Sequence, residues 1–394
     1  MNSTSPKTIE TLQRPALRVL AGGMLGMMVA MGIGRFAFTP ILPLMQRDLG
    51  ISHGMAGGLA SLNYAGYLAG ALLCAVWPRV LRSRCVNVGA LVTSIVTTLL
   101  MGATQSPTWW GALRLMAGVS SAILFVVIAI EVTETLQRSR HSSWSSALYG
   151  GIGLGIALSG AVVPLLDRVG GWSAAWLGMG AMSILLATAG VLVAGKRHVT
   201  VAVPDAVSRA GGRLDGIGRL AIAYFLEGVG YIVSATFLVT MIAHTPGLER
   251  FAPWSWVAVG LAAAPSTIIW QRIACRIGLR ATLNSAYLLQ ACGILLSSVA
   301  QQAFSAGLAA VIFGGTFLGI VALAMGEGGR RAGSEGRRAA AILTVCFGAG
   351  QVVGPPLAGV LADQQGGFTL PLLLASSVVA LGGLLVATDR NFSS

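Results

Sequence analysis

The chain has 394 residues, 55% of them hydrophobic and only 10% charged, with a mean hydropathy of +0.78. No soluble domain of this size can hide so much apolar surface, so lipid is the expected solvent for most of it. A net charge of +13 would suggest nucleic acid in a soluble protein, so the placement of the charges has to decide.

A bilayer core about 30 Å thick needs roughly 20 apolar residues per helix. Twelve such runs predict an all-α membrane protein with twelve transmembrane helices, near 17–43, 54–77, 85–104, 108–131, 142–166 and 172–194, then 219–243, 252–272, 281–300, 303–325, 338–362 and 367–388. The first run is too long for the apolar core of a signal peptide and eleven more follow, so it reads as an uncleaved first helix. With the N-terminus inside, the segments on that side carry 21 Lys or Arg, and the opposite loops carry only Arg47, Arg168 and Arg250. That asymmetry is the positive-inside pattern of an inner-membrane protein with both termini cytoplasmic, and it removes nucleic acid as a partner.

Sliding the chain by 196 residues lays the first six helices on the last six without a gap. Arg84 falls on Arg280, Gln105 on Gln301, Gly118 on Gly314, Glu131 on Glu327 and Asp167 on Asp363. An even helix number per repeat inserts both copies the same way up, which predicts two pseudo-symmetric six-helix bundles. Residues 1–194 form the first, 195–218 a basic cytoplasmic linker with Lys196, Arg197, Arg209 and Arg213, and 219–394 the second. Two bundles that can rock about a shared chamber suit transport better than membrane enzymology.

The whole chain resembles the major facilitator superfamily. Gly32-Ile33-Gly34-Arg35-Phe36-Ala37-Phe38-Thr39-Pro40-Ile41-Leu42-Pro43 is similar to the signature of its YbfB/YjiJ branch, as are Gly228-Val229-Gly230-Tyr231 and Gly350-Gln351-Val352-Val353-Gly354-Pro355. The resemblance implies alternating access, with helices 1, 4, 7 and 10 lining the cavity. Arg114 and Gly118 on helix 4 look like the superfamily's RxxxGxxx-small motif, whose Arg is associated with proton coupling. The family's loop motif between helices 2 and 3 lacks its Asp here, since Ala75, Pro78, Arg79, Leu81 and Arg82 occupy its places. The antiporter-type pattern on helix 5 is incomplete, so export does not follow from motif.

Three charges lie inside predicted helices: Arg35, Arg114 and Glu227. Each costs about 2.5–3.5 kcal/mol on insertion scales and should face protein or water. Glu227, Tyr231 and Ser234 fall at i, i+4 and i+7 and are expected to form one cavity wall, with Glu227 as the proton carrier. The repeat sets Arg35 opposite Tyr231, about four residues or roughly 6 Å from the level of Glu227, so a direct Arg35–Glu227 ion pair is not expected. Arg35 reads either as a fork for a substrate carboxylate or phosphate, or as a fixed Arg bonding backbone carbonyls near Pro40 and Pro43. Arg114 reads either as part of the coupling machinery or as an anchor of helix 4 on helix 1. Thr39, Asn63, Tyr67, Tyr149 and Gln351 complete the candidate set, each also readable as an interhelical hydrogen bond.

The expected function is a proton-coupled secondary transporter, acting as a monomer on a small organic solute, with a preference for an anion. A proton-independent facilitator, a drug exporter of the same fold and a non-transporting sensor are the alternatives. No P-loop or metal-ligand spacing is present, and Gly151-Ile152-Gly153-Leu154-Gly155 lies inside an apolar helix with no strand before it, so no cofactor or metal is expected. An enzyme would need paired acids facing a cavity, and only Glu131 and Glu134, at a helix end, fit that spacing.

Overall fold

The computed structural model describes residues 6–195, 216–332 and 335–392. The linker residues Lys196, Arg197, Arg209 and Arg213 lie outside them. Among the described residues the chain is helical throughout, without a strand, and eleven helices are long and apolar enough to cross a membrane. In chain order they are α1 (Pro6–Met27) with α2 (Phe38–Leu49), α3 (His53–Val76), α4 (Arg84–Met101), α5 (Pro107–Arg138), α6 (Gly150–Ala194), α7 (Ile217–Ala243), α8 (Ala252–Ile277), α9 (Leu279–Val299), α10 (Ala303–Ala332), α11 (Gly336–Gln365) and α12 (Thr369–Ala387).

The count of eleven accommodates the twelve predicted spans because α6 carries two of them. It is broken at Gly170 (φ −169°) and Gly171 (φ +63°), where helical dihedrals fail. The positive φ at Gly171 suits a residue without Cβ, and a Cβ there would also lie 3.0 Å from Asp48 Oδ2.

Predicted helix 1 is not continuous. A π-helical stretch, Met28–Ile33, and a turn over residues 34–37 separate α1 from α2. Proline explains the position of the break. Pro40 has no N–H to offer the Phe36 carbonyl four residues back, and its ring would crowd that carbonyl in an α-helix. The Phe36 carbonyl instead accepts from the Thr39 N–H at 3.2 Å. The unwound turn swings Arg35 out of the helical stack into the protein interior.

The packing follows the internal repeat. A Cβ on Gly57 would lie 2.9 Å from the Pro356 Cα, and a Cβ on Gly160 would lie 3.1 Å from the Pro253 carbonyl oxygen. Residue 57 plus 196 is 253, and 160 plus 196 is 356, so α3 meets α11 as α8 meets α6. These two backbone-close seams join the halves on either side of a central space.

At the end of the molecule away from the linker the halves are closed on each other. The Asp363 carboxylate accepts from the backbone N–H groups of His53 (2.9 Å) and Gly54 (2.8 Å) at the start of α3. The His53 ring packs on Phe368, with centroids 4.7 Å apart, and edge to face on His244 at 5.8 Å. Deeper in, the Tyr64 hydroxyl meets that of Thr236 at 3.3 Å.

Candidate functional site

Between the seams, in the half of the molecule nearer the linker, lies a cavity of about 470 Å³, within the range of small-molecule sites. Its wall draws on the unwound part of helix 1, on α3, α5 and α6, and on α7, α8, α10 and α11. Aromatic rings dominate. Tyr224 stacks on Phe347 at 4.3 Å, Phe347 on Tyr231 at 5.3 Å, and Tyr231 on Phe317 at 6.0 Å, which makes one continuous flat face. Tyr67, Phe125 and Tyr149 stand in the same wall on the other half.

Among the described residues one charged side chain enters this wall, Arg35. Its guanidinium sits 4.3 Å from the ring centroid of Tyr67 and 4.7 Å from that of Tyr64, and its Nη2 donates to Gln351 Oε1 at 2.7 Å. Gln351 Nε2 in turn donates to the Tyr231 hydroxyl. Aromatic faces and a neutral amide hold the cation without neutralising it. The Arg35 Nε is enclosed and has no partner. The guanidinium thus bonds a side-chain amide rather than the backbone carbonyls near Pro40 and Pro43.

Arg35, Tyr67, Tyr149, Tyr231 and Gln351 are thus brought together at the cavity. The other five candidates are not. Arg114 is 1% exposed, lies 4.5 Å from the Phe38 ring centroid and donates from Nε to the Leu59 carbonyl at 3.4 Å, so it ties α5 to α2 and α3. Asn63 donates to the Arg114 carbonyl at 2.9 Å, and Thr39 to the Ala235 carbonyl at 2.5 Å. Ser234 is buried away from the cavity.

The expected wall of Glu227, Tyr231 and Ser234 is corrected by this placement, since Tyr231 alone of the three reaches the space. Glu227 is fully buried and faces Gln290 on α9, whose Nε2 donates to its Oε1 at 2.7 Å. Among the described residues it forms no ion pair with Arg35.

Two features escaped sequence reasoning. Gln290 is a scarce amide in an apolar run, and that scarcity was the available signal. Glu327, the repeat mate of Glu131, is fully buried, and it pairs with Arg330 Nη2 and Arg331 Nε at 2.6 Å each. Arg331 continues to Asp389 Oδ2 at 2.7 Å and to the Gly216 carbonyl at 2.5 Å, tying the end of α10 to the segments that flank α7 and α12.

A bundle of membrane-spanning helices around an aromatic chamber between two seams, closed at one end, defines a multi-pass membrane transporter. A family model described as "Uncharacterised MFS-type transporter YbfB" matches residues 27–387, and the chain belongs to that family; it is a transporter and not an enzyme. It is similar to the "Uncharacterized MFS-type transporter YceJ" of Bacillus subtilis (strain 168), with 26% identity over 277 residues that cover 66% of this chain and 68% of that protein. Among solved structures it resembles a mutant of the nucleoside transporter NupG, with a TM-score of 0.71, 13% identity, and coverage of 96% of this chain and 100% of that one. The unmutated NupG structure matches with a TM-score of 0.68 and 14% identity. These structural likenesses establish the shared fold.

Proposed function

We propose that the chain is a secondary active transporter that moves a small organic anion by alternating access, with protons as the coupling ion. The observation that carries the substrate class is Arg35: among the described residues the one charge in an aromatic cavity, held by rings and an amide that leave its positive charge unbalanced. An anion in the chamber would supply the missing countercharge and gives the guanidinium a planar partner. Residues 1–194 and 219–394 act as the two moving bundles about the 195–218 linker, a division supported by the matching seams. Glu227 is the coupling acid, one helical turn from Tyr231 and so from the Gln351–Arg35 chain. The excess of Lys and Arg on the linker side favours an inner-membrane protein with both termini cytoplasmic. In that orientation the cavity lies toward the cytoplasm and the closed end faces out.

The test is a thermal-shift series on purified protein with benzoate, hexanoate, glucose and tetraphenylphosphonium, since a ligand that binds the folded state raises its transition in proportion to occupancy. Benzoate is expected to stabilise most, and Arg35→Gln to abolish the effect. An equal shift from the sugar or the cation, or a benzoate shift that survives Arg35→Gln, overturns the anion reading. Benzoate uptake into proteoliposomes with and without an imposed pH gradient then separates proton coupling from facilitated diffusion.

A further inference from the structure

Glu227 and Gln290 leave a complementary pair of loose ends. Gln290 Nε2 donates to Glu227 Oε1 at 2.7 Å, while Glu227 Oε2 and Gln290 Oε1 are both enclosed and without a partner. If Glu227 is ionised, both orphans are acceptors and neither can satisfy the other. No neighbouring hydroxyl donates to either orphan. The ionisable side chains near enough to feel the acid are Tyr224 and Tyr231 on α7, whose rings line the cavity, and Tyr287 on α9. The Tyr287 hydroxyl is committed to the Ala223 carbonyl at 3.2 Å, and the Tyr231 hydroxyl is bonded to Gln351. α11 and α12 meet this part of α7 with Phe347, Gly350, Ala375 and Val379, none ionisable. Among the described residues Glu227 forms no ion pair. A bare carboxylate here would be an unpaired charge out of water, among the costliest groups a protein can bury.

One proton resolves both orphans. A carboxylic acid presents a donor beside an acceptor, as a primary amide does, and the terminal torsions of both side chains are soft enough to bring the two groups into plane. We infer that in this conformation Glu227 is held as the neutral acid, its Oε2–H donating to Gln290 Oε1 while its Oε1 accepts from Gln290 Nε2. Acid and amide then close a ring of two hydrogen bonds. The inference rests on the proposed coupling role of Glu227, and it adds Gln290 as the residue that positions the proton and makes the state with a closed far end the protonated one. When the proton leaves to water, the O–H bond breaks and the acid keeps the electron pair. The resulting carboxylate faces the amide oxygen, and the ring must open. Gln290 then turns or α9 shifts against α7, and the disturbance is one helical turn from Tyr231, Gln351 and Arg35.

Infrared difference spectra of the reconstituted full chain, taken between neutral and strongly alkaline buffer, test this directly. Wild type is expected to show the C=O stretch of a hydrogen-bonded neutral carboxylic acid at neutral pH, and Glu227→Gln to lack it. Gln290→Leu keeps the acid but removes the ring, so the band moves to the higher frequency of a free acid. Glu227→Gln preserves shape and can still bond Gln290, and its thermal transition should match wild type. Superimposed spectra of wild type and Glu227→Gln in that region, or a band unmoved by Gln290→Leu, overturn the inference. Proton-driven benzoate uptake reads the coupling role separately. Uptake lost in Glu227→Gln with no acid band keeps the coupling and removes the neutral acid, whereas an acid band with flux indifferent to the pH gradient supports the neutral acid and removes the coupling.

Discussion

The Thr39 hydroxyl donates a 2.5 Å hydrogen bond to the Ala235 carbonyl, and the two residues are 196 positions apart, the offset that superimposes the halves of the sequence. Two copies of one position can touch only beside the axis that relates them, so this bond marks the pseudo-twofold axis where α2 meets α7. It lies on the closed side of the cavity. In the proposed alternating-access cycle, opening that end separates α2 from α7, so the bond would belong to the present conformer alone. Thr39→Val removes the donor at nearly constant volume and should destabilise this conformer by about 1 kcal/mol, enough for roughly a fivefold shift in population. Distances between spin labels at the ends of α2 and α7 away from the linker check it, and an unchanged distribution would contradict the assignment.

Asp167 and Asp363 are repeat mates that do different work. Asp363 caps α3 across the two halves through the N–H groups of His53 and Gly54. Asp167 stays within its own half and pairs with Arg47, whose side chain is 56% exposed. A charged cap at a helix N-terminus contributes about 1–2 kcal/mol, whereas an exposed ion pair contributes about 0–1 kcal/mol. Asp363→Asn should therefore open the far end measurably, and Arg47→Ala should leave it nearly closed. Thiol-labelling rates at a cysteine introduced beside His244 read the difference.

The spans were legible because twenty apolar residues have one use, and the halves because scarce Arg, Gln and Asp recur in register. The break in α6 falls where a Gly-Gly pair follows Asp167 and Arg168. What sequence could not give was the direction in which a polar face turns. α7 is buried on nearly every side, so the i, i+4 and i+7 spacing of Glu227, Tyr231 and Ser234 fixed a stripe but not its neighbour. Tyr231 reaches the cavity, and Glu227, a turn away, meets α9 instead. Gln290 is 63 residues distant, and no local pattern ties it to Glu227. Arg35 was found for the physical reason that an intramembrane charge is expensive, and the Pro40 that unwinds the helix before it was visible too.

The Arg331–Asp389 contact predicts a pH dependence of stability. Asp389 lies beyond the last span. Burial acts to raise its carboxyl, but hydrogen bonds from Arg331 and Asn391 outweigh burial and hold it below the ordinary aspartate value. A lowered folded-state value means the contribution is complete above the unfolded value of about 3.9 and is lost as the pH falls through the folded one. Asp389→Asn should lower stability by about 2 kcal/mol at neutral pH, the worth of a charged hydrogen bond. The gap to wild type should close on acidification below about pH 3.9. Thermal melts followed by tryptophan fluorescence at neutral and acid pH check both halves of the statement, and a gap that persists in acid would assign the loss to something other than this charge.

Gly118 and Gly314 provide the sharpest test of packing, because each lets a neighbouring backbone approach where no side chain fits. A Cβ on Gly118 would lie 2.0 Å from the Asn63 carbonyl oxygen, and one on Gly314 would lie 2.2 Å from that of Val259. Positions 63 and 259 are again 196 apart, so α5 packs on α3 as α10 packs on α8. Without hydrophobic collapse to drive helices together in lipid, such close approach supplies much of the association energy. The obstructing atoms are backbone and cannot rotate away, so relief requires the helices to part. Gly118→Ala and Gly314→Ala should each cost about 1–3 kcal/mol, at the upper end of that range for overpacking or beyond it. Gly58→Ala and Gly315→Ala are the controls. They sit within α3 and α10, with nothing within 4 Å of the added atom, and should be neutral or stabilising by up to about 1 kcal/mol. Thermal transitions of the four variants in detergent decide it. If the two pairs behave alike, the packing inside each half is looser than the geometry requires, and the proposed rigid-body movement of the halves loses its mechanical basis.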